Sequence, residues 1–94
     1  MLLEPLKPPD AKKLIIDILN KGIVTYSQPH AKDQMAKRRI STVDCVNVLR
    51  GGIVKIGEFE NGSWRYRVCT PKMCVVARFE SKNILEIVTA WREK

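Results

Sequence analysis

The stretch Asn61-Gly62 followed by Ser63-Trp64-Arg65-Tyr66-Arg67-Val68-Cys69-Thr70 constrains the fold more than any other part of the chain. Asn-Gly is the preferred two-residue hairpin turn, because both of its central residues need positive φ. The residues after it alternate with a period of two. A strand there sends Trp64, Tyr66 and Val68 to one face and Arg65, Arg67 and Cys69 to the other. One face is core and the other is cationic. Thr70-Pro71-Lys72-Met73 predicts a second turn, so this strand lies between two hairpins, inside a sheet.

The rest of the chain divides around that strand. Residues 1–9 hold three prolines and little periodicity, which predicts an extended arm. Asp10 reads as the N-cap of a helix over Ala11–Asn20, with Leu14, Ile15, Ile18 and Leu19 at helical spacing and Lys21-Gly22 ending it. Ile23–Tyr26 is short, β-branched and aromatic, the signature of a strand. A second helix is expected from His30 to Arg38 with Pro29 in its first turn. Ser41 caps a third, whose stripe is Val43, Cys45, Val46 and Leu49 and which stops at Gly51-Gly52. From Ile53 the apolar period changes from about 3.6 to 2. Ile53–Glu60, Ser63–Thr70, Met73–Glu80 and Ile84–Arg92 are strand candidates joined by turns too short for anything but antiparallel neighbours. The expected fold is α+β: N-terminal helices packed on an antiparallel four-stranded sheet in a single domain over 1–94.

Composition narrows the function. Seventeen Lys and Arg against ten Asp and Glu give a net charge of +7 and a pI near 9.6. Such a charge on so small a surface favours an anionic partner, nucleic acid or an acidic protein. Met1-Leu2-Leu3 meets Glu4 and Pro5 at once, unlike a signal peptide, and Leu14-Ile15-Ile16 is cut by Asp17, so no membrane segment is expected. Cys45, Cys69 and Cys74 have no metal-knuckle spacing, and an odd count argues against a disulfide scaffold. The expectation is a cytoplasmic protein with reduced thiols, although Cys69 and Cys74 face each other across the Pro71-Lys72 turn.

Few residues here can carry chemistry. His30 is the only histidine and is an acid–base group near neutral pH; a lone histidine at a helix end is also commonly just exposed. Gln34 and Arg38 follow it at four-residue steps, making one polar row. Arg65 and Arg67 stand about 7 Å apart on one strand face. If Thr70 pairs with Met73, Arg78 joins their patch opposite Arg65, as a phosphate cradle or as partners for Glu58 and Glu86. Thr89 interrupts the row Leu85, Ile87, Trp91 and either bonds locally or faces the site. Lys12-Lys13 and Lys37-Arg38-Arg39 add charge for nonspecific affinity. No glycine-rich phosphate loop, carboxylate pair or Cys/His metal set is present, so no cofactor or metal is expected. RNA cleavage suits a histidine and arginines, because the 2′-hydroxyl of RNA supplies the nucleophile.

His30-Ala31-Lys32-Asp33-Gln34-Met35, then Arg38, Ile40, Ser41, Asp44, Val46 and Leu49, then Gly62–Val68, and finally Val88-Thr89-Ala90-Trp91-Arg92 resemble a bacterial family catalogued as a domain of unknown function. Its members are often encoded beside MqsA-type zinc-finger antitoxins. The resemblance spans about residues 23–92, with Trp64–Arg67 and Thr89–Arg92 its most specific parts. It differs at Gln34, where relatives carry arginine, and at Arg39, where they carry glycine. The resemblance implies a RelE/MqsR-like toxin fold, cleavage of mRNA free or on the ribosome, and a cognate antitoxin partner of zinc-finger or helix-turn-helix type. It also implies roles for His30, Arg38, Arg65, Arg67 and Thr89.

Together these readings give a metal-independent endoribonuclease toxin. His30 would be its acid or base, Arg65 and Arg67 would hold the scissile phosphate, and Gln34, Arg38, Arg78 and Thr89 would contact substrate. The alternative is a basic RNA- or protein-binding module without catalysis.

Overall fold

The computed structural model describes residues 2–93. An arm without regular structure leads into α1 (Pro8–Lys21), β1 (Ile23–Tyr26), α2 (His30–Arg38), α3 (Thr42–Gly51), β2 (Ile53–Val54), β3 (Glu58–Glu60), β4 (Ser63–Cys69), β5 (Met73–Ser81) and β6 (Ile84–Arg92). The chain is α+β. Its sheet, however, is six-stranded and mixed rather than a four-stranded antiparallel meander. The order is β1-β6-β5-β4-β2, with β3 also paired to β4. β1 lies parallel to β6, with Ile23 beside Ile84 and Tyr26 beside Ile87. Parallel pairing needs a long crossover, and everything between β1 and β6 serves as one.

Local chemistry accounts for most boundaries. α1 begins at Pro8, whose missing N–H is no loss in a first helical turn, so Asp10 sits inside that turn instead of capping it. Pro29 is the N-cap of α2 rather than a first-turn residue. Ser41 and Asp44 form a full capping box on α3, the Ser41 hydroxyl accepting from the Asp44 N–H and the Asp44 carboxylate from the Ser41 N–H. The buried residues of α3 are Cys45, Val48 and Leu49, while Val43 is 65% exposed. The hairpin between β3 and β4 turns through Asn61 and Gly62 with φ of 50° and 83°.

Two irregularities place the functional face. The expected strand Ile53–Glu60 is divided into β2 and β3. Between them Gly57 passes so close to Tyr66 that a Cβ there would lie 2.9 Å from the ring. The second irregularity is in β6, where Val76 is level with Thr89 but Ala77 is level with Ile87. Val88 is the extra residue of a bulge, and one extra residue turns every later side chain to the opposite face. Leu85 and Ile87 therefore enter the core while Thr89 and Trp91 point away from it, and the single apolar row expected for that strand is broken in the middle.

The core lies on one side of the sheet, where Ile15 and Ile18 of α1 and Cys45 and Leu49 of α3 meet Tyr66, Val68, Val75, Leu85 and Ile87. Each such side chain contributes about 1.5–3 kcal/mol on burial. Tyr66 packs against Phe79, ring centroids 5.3 Å apart. Its hydroxyl accepts from the Leu6 N–H and donates to the Glu4 carboxylate, which ties the arm to the sheet. No helix of the described residues is long and apolar enough to cross a membrane.

Candidate functional site

The face of the sheet turned away from α1 and α3 carries the polar side chains. Alternation along β4 sends Arg65, Arg67 and Cys69 there, as the pattern predicts, and leaves Arg65 half-buried and Arg67 exposed. In register, Arg67 is level with Val76 of β5 and Val76 with Thr89 of β6. The Thr89 hydroxyl donates to the side-chain carbonyl of Gln34 on α2, which borders the C-terminal half of β6. Arg67, Val76, Thr89 and Gln34 thus form one transverse row. Two strand spacings, about 10 Å, separate the backbones of Arg67 and Thr89. The Arg67 side chain spans part of that gap, its guanidinium carbon lying 5.9 Å from the centre of the Trp91 ring of β6.

The other candidates fall around this row. His30 is exposed at the first residue of α2, one turn before Gln34. Arg38 is exposed, and its guanidinium donates to the Ala90 carbonyl at 2.6 Å. Arg78 is held between two carboxylates, Glu86 at 2.6 Å and Glu80 at 3.1 Å. Arg67 has Glu58 at 3.6 Å, with both groups largely solvated, so the pair restrains it weakly. Arg65 is level with Glu58 in the β3–β4 pairing and reaches the Ser63 hydroxyl at 3.5 Å. Both carboxylates named as possible counter-ions are therefore engaged, with Arg78 held closely and Arg65 and Arg67 more open.

Several residues have structural duties instead. Lys12 donates to the Leu49 and Gly52 carbonyls at 3.0 and 2.6 Å, satisfying the end of α3, and desolvation lowers its pKa. It is a capping group rather than a free surface charge. The Tyr66 hydroxyl lies in the core, where burial pushes its pKa up to about 12. Cys45 is buried too, its thiol pushed up to about 11 by desolvation and then by Asp44, which leaves it without thiolate character. Cys69 and Cys74 are joined as a disulfide, contrary to the expectation of reduced thiols. They are directly opposite across β4 and β5, with Cα atoms 4.1 Å apart. Among the described residues no group of three or more His, Cys, Asp or Glu is arranged to hold a metal ion.

Sequence reasoning missed three residues on this face. Lys55 follows β2 and donates its N–H to the Arg67 carbonyl at 2.8 Å. Trp91 is brought to this face by the Val88 bulge. Glu93 accepts from the Trp91 indole N–H at 3.0 Å. The polar position of Lys55 between Val54 and Ile56 was the available signal, obscured by treating residues 53–60 as one uninterrupted strand. No protein-family model matches the chain. No curated protein and no solved structure matches it either.

Proposed function

We propose that the chain is the toxin of a type II toxin–antitoxin pair, a RelE/MqsR-like, metal-independent endoribonuclease acting on mRNA. The observation that carries this reading is the transverse row, in which an arginine on β4 and a hydroxyl on β6 share the face that α1 and α3 leave uncovered and Gln34 of α2, one helical turn after the only histidine, is bonded to that hydroxyl. A single RNA strand laid across that row meets a cation and then a hydroxyl–amide pair, with the imidazole one helical turn from the amide. Arg65 and Arg67 hold the scissile phosphate and offset charge as the phosphorane forms. Thr89 fixes Gln34, whose amide nitrogen donates to the substrate, and Arg38 anchors α2 to β6 through the Ala90 carbonyl. His30 supplies the proton-transfer step. The 2′-oxygen bonds to phosphorus as the bond to the 5′-oxygen breaks, leaving a 2′,3′-cyclic phosphate and a 5′-hydroxyl.

Incubating RNA with the protein in EDTA tests this. Cleavage should persist, and His30→Ala should slow it about 100-fold or more while the melting temperature stays unchanged. Arg67→Ala should slow it as well. Full-rate cleavage by both variants would end the assignment.

A second reading, a basic RNA- or protein-binding module without catalysis, is favoured by the engagement of Arg78 with Glu86 and Glu80 and of Arg67 with Glu58. It predicts RNA retention that weakens with salt and no cleavage products.

A further inference from the structure

The register that pairs Ile53 with Cys69 and Val54 with Val68 continues by one residue, through the Lys55 N–H to the Arg67 carbonyl. Lys55 is therefore directly opposite Arg67. Val54 is buried in the core, so its neighbour Lys55 faces the other way, on the same side as Arg67. Like charges directly opposite across antiparallel strands repel one another. Arg65 and Arg78 come opposite one another one step beyond Tyr66 and Ala77, but each is level with a carboxylate on its other side, Glu58 and Glu86 respectively. The ion pairs among the described residues do not include Lys55, and Arg67 has only Glu58 at 3.6 Å. The two cations line a groove of about 420 Å³ whose other walls include Thr70, Pro71 and Glu93. Thr70 is spent on its own turn, accepting from the Lys72 and Met73 N–H groups, and Glu93 is bound to the Trp91 indole. The ammonium and guanidinium are the cationic groups of the groove, and the Glu93 carboxylate, bonded to that indole through one oxygen, is its anionic one.

We infer that Lys55 and Arg67 form a clamp for a phosphate group, extending the RNA path from the transverse row to the β2 edge of the sheet. An anion between the two charges turns their repulsion into two attractions, and a phosphate oxygen set fits a planar fork and a point charge together. This subsite rests on the RNA reading above. Arg67 is shared between the scissile phosphate and this subsite, and Lys55 adds the contact to the neighbouring phosphate.

The test uses the full chain and a 2′-O-methyl RNA oligomer that cannot be cleaved. For Lys55→Ala, the slope of log affinity against log salt should be shallower by about 0.7, the loss of one single-strand phosphate contact. Lys82→Ala, an exposed position in the turn between β5 and β6, should keep the parent slope. An unchanged slope in Lys55→Ala overturns the clamp while leaving the RNase reading in place. Titration with inorganic phosphate, followed by amide NMR shifts, separates the two claims. Shifts centred on Lys55 and Arg67 in a protein that retains no RNA uphold the clamp and defeat the RNA reading. No shift at either residue, in a protein that also retains no RNA, defeats both.

Discussion

Asp44 and Ser41 hold each other across the first turn of α3, and this pair makes stability depend on acidity. The Ser41 backbone N–H, then the Ser41 side chain and then Arg92 hold the Asp44 carboxyl below its ordinary value of 3.8. A carboxyl whose folded-state pKa is depressed contributes stability above its unfolded pKa and loses it as pH falls through the folded value. Asp44→Asn should therefore melt below the parent at pH 6, and the gap should close as pH drops below about 4, as thermal melts at pH 6 and pH 3 would show. A gap that is constant with pH would mean that the charge is not what matters. Arg39 presents a different problem. It ends α2 in the left-handed region at φ 56°, where a Cβ costs roughly 1 kcal/mol. Its carbonyl, which accepts from Arg92 at 2.8 Å, would survive replacement of the side chain. Arg39→Gly should raise the melting temperature by several degrees, about 4–8 °C for each kcal/mol in a domain of this size. A fall would show that the arginine side chain contributes more than the backbone loses.

Among the elements, β6 governs the placement of the site. Without the Val88 bulge, Thr89 and Trp91 would continue the inward row of Leu85 and Ile87, and Ala90 would leave the core. Deleting Val88 removes only the extra residue and joins Ile87, level with Ala77, directly to Thr89, level with Val76, so Thr89 and Trp91 should keep the outer side and cooperative unfolding measured by circular dichroism should persist. Loss of the cooperative melt would refute that reading of the bulge. The element also shows why the sequence is only partly readable. Ser63–Cys69 alternates cleanly and is anchored by Asn61-Gly62, so its faces and its pairing with β5 follow from the residues alone. Ile84–Arg92 is apolar at nearly every step, and no period within it marks where the extra residue goes. The parallel partnership of β1 with β6 joins segments about 60 residues apart, a contact that no local pattern encodes. The candidate site was legible to the same degree. Arg65, Arg67 and the His30–Gln34–Arg38 row came from spacing. Lys55 was hidden by the break at Gly57, which depends on the distant ring of Tyr66.

For the molecule as a whole, the division of the sheet into an aliphatic side and a cationic side organises everything else. The helices α1 and α3 use the first side and cover it, so Arg65, Arg67 and Arg78 are displayed on the other. The arm supports the same division from below, because Glu4 and Leu6 reach the Tyr66 hydroxyl through the sheet end. An anionic strand bound to the outer side needs no rearrangement of the core. Its affinity can be tuned by substitutions at Lys55, Arg65 or Arg67 without touching the residues that make the chain fold.

β6 is the last strand to be translated, yet it is an inner strand, bordered by β1 on one side and β5 on the other, with α2 against its second half. A nascent chain that has emerged only as far as Ser81 holds β1 without its parallel partner and α2 without the strand it borders. During synthesis Arg65, Arg67 and Arg78 are already in place on β4 and β5, and the parallel edge and the Thr89–Gln34 contact follow only with β6.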